Sequence, residues 1–257
     1  MSGGKDVASP AIRDETDAAQ PKVVVVVPTY NEADNLPLLV GRLFALDMPA
    51  CKLIVVDDGS PDGTGEVATR LGRELGGRVE LIQRGRKMGL GTAYVDGITR
   101  ALAEGPDFIV QMDADMSHPP ERVPAFLEAL VDADVVVGSR YVPGGGSEDS
   151  WGLRRRVLSL LSNEGIRLAT GVKARDATSG FKAFRREAIA AVDLTRFRCS
   201  GFGFQVEMVK ACERHGFKVA ELPIIFGRRA SGKSKMSIAI AAEALWRLPA
   251  LRWGKVP

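Results

Sequence analysis

The sequence predicts an α/β fold built on one open, mostly parallel sheet flanked by helices. Two observations lead there. Short apolar runs rich in β-branched residues recur along the first half of the chain, as in strands covered by helices on both faces. Between the runs lie segments with apolar residues at helical spacing. In such sheets ligands bind beyond the carboxyl ends of the strands, and polar or charged residues gather directly after these runs.

The first strand is expected at Val23 to Val27, followed by a helix presenting Leu36, Leu39, Leu43 and Phe44. Lys52 to Val56 is the second strand, with Val67, Leu71 and Leu75 on the helix after it. Val79 to Gln83 and Phe108 to Met112 are the third and fourth, and Phe126, Leu127 and Leu130 mark a further helix before the fifth, Val135 to Gly138. Residues Leu153 to Ala169 read as an amphipathic helix with Leu153, Val157, Leu160, Leu161 and Leu168 on one stripe. Arg155, Ser159 and Asn163 fall at i, i+4 and i+8 on another face.

A chain of 257 residues with 45% hydrophobic content suffices for one large domain, expected at 22–235. Residues 1–21 are polar and aperiodic, so a disordered tail is expected there. The segment 236–257 is expected to be amphipathic. Its longest apolar stretch, Met236 to Trp253, is interrupted by Glu243, Arg247, Pro249 and Arg252, and a transmembrane helix is not expected. Ile238, Ala241, Ala242, Leu245 and Trp246 would suit either a membrane interface or packing on the sheet.

The net charge of +3 is small, but basic residues cluster at Arg154 to Arg156 and Arg228 to Lys235. Without a nucleic-acid motif or interleaved aromatics, these patches fit lipid phosphate and a membrane surface, and no nucleic-acid partner is expected. Cys51, Cys199 and Cys212 lack metal spacing and imply a reducing, cytoplasmic setting, so a protein peripheral to the cytoplasmic face of a membrane is expected.

The groups after the strands are Pro28-Thr-Tyr-Asn-Glu32, Asp57-Asp-Gly-Ser-Pro-Asp62, Arg84-Gly-Arg-Lys87, Asp113-Ala-Asp115 and Ser139-Arg-Tyr141. In an extended chain Asp113 and Asp115 project to one side while Ala114 points inward. Two such carboxylates suit Mg²⁺ or Mn²⁺, yet they would also cap a helix starting near Pro119. Asp58 would accept from a ribose or base, or simply organise a turn. Gly89-Leu-Gly91 lacks the dinucleotide fingerprint, and there is no phosphate loop. Arg155 and Ser159 offer a guanidinium fork and a hydroxyl one turn apart, which suits a phosphate monoester; the alternative is a solvated helix face.

Val27-Pro-Thr-Tyr-Asn-Glu32, Val56-Asp-Asp-Gly-Ser60, Met112-Asp-Ala-Asp-Met-Ser-His-Pro119, Gly138-Ser-Arg-Tyr141 and Thr178-Ser-Gly-Phe181 together resemble glycosyltransferase family 2. Trp151-Gly-Leu-Arg-Arg-Arg156, Asp176-Ala-Thr-Ser-Gly-Phe181, Gly203-Phe-Gln-Val-Glu207 and Arg229 with Gly232-Lys-Ser-Lys235 narrow the resemblance to the dolichol-phosphate and polyprenol-phosphate mannosyltransferases. That resemblance implies a GT-A type, Rossmann-like fold and transfer of mannose from GDP-mannose to a polyprenyl phosphate, with Mg²⁺ or Mn²⁺. It implies that Pro28, Tyr30, Glu32, Val56 and Asp58 hold the nucleoside, and that Asp113, Ala114, Asp115 and Ser117 hold metal and diphosphate. The implied metal ligands are Asp113, Asp115 and Ser117, Ser117 standing where some relatives carry Gln. Arg229 and Lys235 match a loop that closes on the diphosphate, and Arg140, Arg155 and Ser159 match an acceptor-phosphate site. Asp113, Asp115 and Arg140 are the expected catalytic residues. Arg228 stands where relatives often carry an acid. Many relatives carry membrane spans or bind a separate membrane-anchoring subunit, so such a partner is expected to be possible here.

An acceptor phosphate with a second pKa near ~6 is already ionised at neutral pH, so a single inverting displacement needs no general base. The competing readings are transfer of another sugar from a UDP or GDP donor to a lipid phosphate or polysaccharide, and a silent nucleotide-sugar-binding module. His118 is read as a turn residue with metal ligation as the alternative, and His215 as the end of a helix. Gln205 and Glu207 are open between sugar contacts and supporting roles.

Overall fold

A computed structural model of the chain describes residues 21–48, 50–148, 152–199, 201–228 and 251–252, with residues 153–156 described as backbone. In order the elements are β1 (Val23–Thr29), α1 (Asn35–Phe44), β2 (Cys51–Asp57), α2 (Thr64–Glu74), β3 (Val79–Gln83), α3 (Leu90–Ala103), β4 (Phe108–Gln111), α4 (Val123–Ala129) and β5 (Val135–Ser139). There follow β6 (Gly146–Ser147), α5 (Leu153–Thr170), β7 (Lys182–Arg185), α6 (Arg186–Ala190), α7 (Gly201–Arg214), β8 (Val219–Pro223) and β9 (Ile225–Phe226).

The main sheet runs β3-β2-β1-β4-β7-β5-β8. Every pairing in it is parallel except those of β7, which is antiparallel to both β4 and β5. A second, two-stranded sheet joins β6 to β9. All five expected strands are present, with β4 ending at Gln111, one residue before the expected Met112. Strands β7 and β8 were not legible. Lys182 and Arg185 make half of the four residues of β7, and charged residues read as exposed.

Side-chain alternation along β1 divides the core into two layers. Val23, Val25 and Val27 pack with Leu36, Leu39 and Leu43 of α1 and with Phe126 of α4. Val24 and Val26 face the other way, onto Tyr94 and Ile98 of α3 and Phe204 of α7. Because β7 runs backwards, the residues that precede it emerge at the same edge as the carboxyl ends of β4 and β5. This brings 176–181 to the crevice. Among the described residues no helix is long and apolar enough to cross a membrane.

Helix α3 lies close on the sheet at Gly97, where an added Cβ would sit 2.3 Å from Val26 Cγ1 and 2.9 Å from Val56 Cγ2. Propensity alone would make Gly97→Ala stabilising by about 1 kcal/mol. The close contact opposes this, since overpacking a core typically costs about 1–3 kcal/mol. Gly97→Ala is therefore expected to lower the urea midpoint; a raised midpoint would mean that α3 lifts off the sheet freely.

Candidate active site

The site begins where β4 ends. Residues 112–118 bend rather than continue extended: Met116 has φ +66°, and Asp115 Oδ1 accepts from the Ser117 backbone N–H at 3.0 Å. The extended geometry expected for Asp113 and Asp115 is thus replaced by a tight loop. Ala114 still points inward and is buried in the core below. Neither carboxylate caps the following turn, since the short 3₁₀ helix at Pro120–Arg122 starts without a side-chain cap. The capping account of the pair is thereby removed.

Asp113 is the open member, with its side chain 32% exposed. Its Oδ1 accepts from the Tyr94 hydroxyl at 3.1 Å, and its backbone N–H donates to His118 Nδ1 at 3.0 Å. His118 is buried between Phe181 and Phe226, and burial pushes its pKa below the ordinary value. A neutral ring whose Nδ1 already accepts from the loop backbone braces that loop, as the turn reading expects, and does not ligate through that nitrogen. Ser117 is fully buried, its Oγ has no hydrogen-bond partner, and its carbonyl accepts from Gly227 N–H at 2.9 Å.

Among the described residues no three His, Cys, Asp or Glu side chains form a metal-binding group. Two hard carboxylates beside an orphaned buried hydroxyl nevertheless fit Mg²⁺ or Mn²⁺, ions that keep several positions for water and phosphate oxygens. On this chain Asp113, Asp115 and Ser117 could hold such an ion.

The positions expected to hold a nucleoside lie at the ends of β1 and β2, where Pro28 and Val56 are register partners. Glu32 is buried and accepts from Asn35 Nδ2 at 2.6 Å, while Lys87 Nζ stands 4.1 Å over the Tyr30 ring. Asp57 organises the turn, accepting from Thr29 Oγ1 at 3.1 Å, Ser60 N–H at 3.0 Å and Gln83 Nε2 at 2.8 Å. Asp58 has both oxygens turned to protein: Oδ1 lies 3.1 Å from Arg84 Nε, and Oδ2 accepts from the Gly89 and Met88 N–H groups at 2.8 and 3.2 Å. Any contact of Asp58 with a ribose is shared with these partners.

Arg140 leaves the end of β5 with its fork already filled. Nε and Nη2 donate to the two oxygens of fully buried Asp176 at 2.8 Å each, and Nη2 also donates to Thr178 Oγ1 at 2.8 Å. The guanidinium expected to grip an acceptor phosphate therefore has one bidentate partner inside the protein. Tyr141 and Ser159 hydroxyls meet at 2.7 Å, and buried Asn163 donates to the Arg175 carbonyl. Ser159 and Asn163 on α5 thus bond to protein groups. Val157, Leu160, Leu161 and Leu168 of the apolar stripe are exposed, Leu161 and Leu168 by 61% and 72%.

Gln205 Oε1 accepts from Gln111 Nε2 at 2.5 Å and from Lys182 Nζ at 2.8 Å, and Glu207 accepts from the Arg198 and Cys199 N–H groups at 3.1 and 2.9 Å. His215 Nδ1 lies 2.9 Å from the Ala211 carbonyl at the end of α7, as expected. The three cysteines are free and buried. The side chain of Arg155, and Trp151, Arg229, Lys235 and the 236–250 segment, lie outside the described residues, as do residues 1–20. Sequence reasoning assigned no role to Tyr94, Asp176 or Lys182. For Asp176 the signal was present, in the Asp176-Ala-Thr-Ser-Gly-Phe181 motif.

The open, mostly parallel sheet, with β7 alone reversed, has the GT-A type architecture of glycosyltransferases. The chain belongs to glycosyl transferase family 2, whose family model matches residues 24–192. It is 42% identical over 234 residues to polyprenol monophosphomannose synthase of Mycolicibacterium smegmatis, covering 91% of this chain and 87% of that protein. It is also 42% identical over 234 residues to undecaprenyl-phosphate mannosyltransferase of Micrococcus luteus, covering 91% and 94%. Its fold is similar to mannosyl-3-phosphoglycerate synthase from Rubrobacter xylanophilus, at TM-score 0.65 and 21% identity over 90% of this chain and 74% of that one. It is similar too to a mannosyltransferase from Pyrobaculum calidifontis in complex with GDP-Man and Mn²⁺, at TM-score 0.57 and 19% identity over 93% and 67%.

Lys182 gives the site a pH signature in stability. Burial pushes its ammonium down from 10.5 to about 7. Between those values the unfolded chain holds a proton that the folded chain has lost, so stability must rise with pH across that window. The penalty is complete below pH 7 and fades toward 10.5. Lys182→Met should lack this rise, so the wild-type melting temperature is expected to climb relative to the variant's between pH 7 and 9; a constant gap between the two curves would show that Lys182 does not titrate there.

Proposed function

We propose that this chain transfers mannose from GDP-mannose to a polyprenyl monophosphate, giving polyprenyl-phosphate mannose with inversion at the anomeric carbon. The carrying observation is the 42% identity, spanning 91% of the chain, to a polyprenol monophosphomannose synthase. The geometry supports it in detail. Carboxylates at Asp113 and Asp115 and the guanidinium of Arg140 stand at one edge of one sheet, where donor diphosphate and acceptor phosphate must meet.

In this reading Pro28, Tyr30, Glu32, Val56 and Asp58 receive the nucleoside. Asp113, Asp115 and Ser117, with the main chain of Ala114 between them, lie against the diphosphate and would hold Mg²⁺ or Mn²⁺, which when bound neutralises charge developing on the leaving diphosphate. Arg229 and Lys235 share that task from the segment after β9. Arg140 keeps Nη1 for the acceptor, Asp176 having taken Nε and Nη2, and a guanidinium so fixed presents that one donor preorganised for an incoming phosphate. Arg155 and Ser159 complete that subsite, Ser159 standing within reach of Tyr141. The acceptor oxygen arrives ionised, its pKa being ~6, so none of these residues needs to remove a proton.

The outward apolar stripe of α5 supports a membrane surface as partner, with the chain peripheral to its cytoplasmic face. Clustered arginines at 154–156 would add roughly 1 kcal/mol each near anionic lipid. A separate membrane-anchoring subunit is the other partner this reading admits.

The test is transfer of radiolabelled sugar from GDP-mannose to a short-chain polyprenyl phosphate with Mg²⁺, Mn²⁺ or chelator. Metal-dependent labelled lipid is expected, and Asp115→Asn should lower turnover by orders of magnitude while melting as wild type does. Label from UDP-glucose alone would overturn the donor, and unchanged turnover in Asp115→Asn would overturn the metal site. Arg155→Ala should raise the apparent KM for the lipid more than that for GDP-mannose; the opposite split would move Arg155 to the donor side.

A further inference from the structure

Helix α3 brings the hydroxyl of Tyr94 to the Asp113 carboxylate. We infer that Tyr94 is a positioning residue for Asp113: its hydroxyl fixes the carboxylate in the orientation needed to bind the divalent cation. The inference rests on the reading of Asp113 as a ligand to that cation and adds a residue to it.

Tyr94 is fully buried, and its ring stacks on Phe204 at 5.8 Å between centroids and 4° between planes. Such a ring has little freedom, and its hydroxyl must find a partner at the end of a fixed lever. The partner is Asp113 Oδ1 at 3.1 Å, on a carboxylate that is 32% exposed and turned to the crevice. On another side the carboxylate is flanked by Gly180, where a Cβ would come within 3.4 Å of Oδ1 and 3.5 Å of Oδ2. With its backbone N–H on His118, Asp113 is held at main chain and side chain alike. The hydroxyl on Oδ1 leaves Oδ2 as the freer oxygen for a cation.

The lever itself is anchored at the nucleoside end. The N–H groups of Met88 and Gly89, at the entry to α3, bind the Asp58 carboxylate. Helix α3 thus connects the turn beneath the nucleoside to the group that orients the cation ligand.

The experiment titrates Mn²⁺ into wild type, Tyr94→Phe, Asp113→Asn and Phe204→Leu in the presence of GDP, with free Mn²⁺ read by electron paramagnetic resonance and melting curves run in parallel. Removing a group that orients a metal ligand costs about 10–100-fold in metal affinity. Tyr94→Phe should weaken Mn²⁺ binding by at least about 10-fold, at a melting temperature near wild type, and raise the Mn²⁺ needed for half-maximal turnover without changing KM for the lipid. Phe204→Leu, which loosens the stack but keeps the hydroxyl, should lose stability and weaken Mn²⁺ binding less than Tyr94→Phe does. Wild-type affinity in Tyr94→Phe alongside weakened Asp113→Asn would overturn the inference alone, as would an equal loss in Phe204→Leu. Wild-type affinity in Asp113→Asn would overturn the ligand reading beneath it.

Discussion

The buried fork between Arg140 and Asp176 joins the two parts of the crevice, and the direction of β7 makes it possible. Had β7 run parallel to its neighbours, the 176–181 segment would have emerged at the far edge of the sheet. Running antiparallel, it delivers Asp176 to Arg140 and Gly180 to Asp113. A fully buried carboxylate is costly unless paired and hydrogen-bonded. Asp176 meets the condition with both oxygens on one guanidinium and an N–H from the Arg140 backbone. Removing either partner would strand the other, a loss typically of about 3–5 kcal/mol.

Carboxylates elsewhere repeat one device. Glu213 accepts from Lys173 and Ala174 N–H, Glu221 from Arg175 and Asp176 N–H, Glu207 from Arg198 and Cys199 N–H, and Asp58 from Met88 and Gly89 N–H. Loops at a sheet edge have unpaired backbone donors, and a side-chain acceptor satisfies two of them at once. The count of acidic residues near the crevice is therefore a poor guide to chemistry. Asp113 stands apart because its carboxylate is partly open while its own main chain is held by an imidazole. Glu213 and Glu221 grip the very loop that positions Asp176, so the Arg140 side of the crevice is built on structural acids.

The parallel part of the sheet was legible because β1, β2, β4 and β5 are buried on both faces, and continuous apolar runs follow directly from that burial. Asp113 and Asp115 were legible for a related reason, as charges placed where strand ends need none. Tyr94 was not, since an aromatic at helical spacing reads as core, and only the packing of α3 aims its hydroxyl at the loop. Lys182 was hidden by the opposite prejudice. It lies fully buried in a four-residue strand, donating to Ser179 and Gln205. The extended Asp113-Ala-Asp115 geometry failed because Met116 adopts a left-handed conformation that local sequence does not announce. Glycine 89 and glycine 91 drew attention as a loop motif and obscured the helix that starts between them.

Helix α5 inverts the usual arrangement, and the inversion is costly unless the apolar face has a use. Ser159, Asn163 and Thr170 point inward, bonded to Tyr141, the Arg175 carbonyl and the Ile166 carbonyl. Val157, Leu158, Leu161 and Leu168 remain outside. Fully burying a leucine is worth about 1.5–3 kcal/mol, so four such residues in lipid would repay the docking of the domain several times over. The order of the two faces also matters for the proposed reaction. With hydroxyl and amide groups toward Arg140 and an apolar stripe behind them, a phosphate could enter the crevice while its hydrocarbon chain stays on the outer side of the helix. A helix of ordinary polarity would present charge to the chain and leucines to the phosphate, and the two ends of one amphipathic substrate would then meet the wrong solvents.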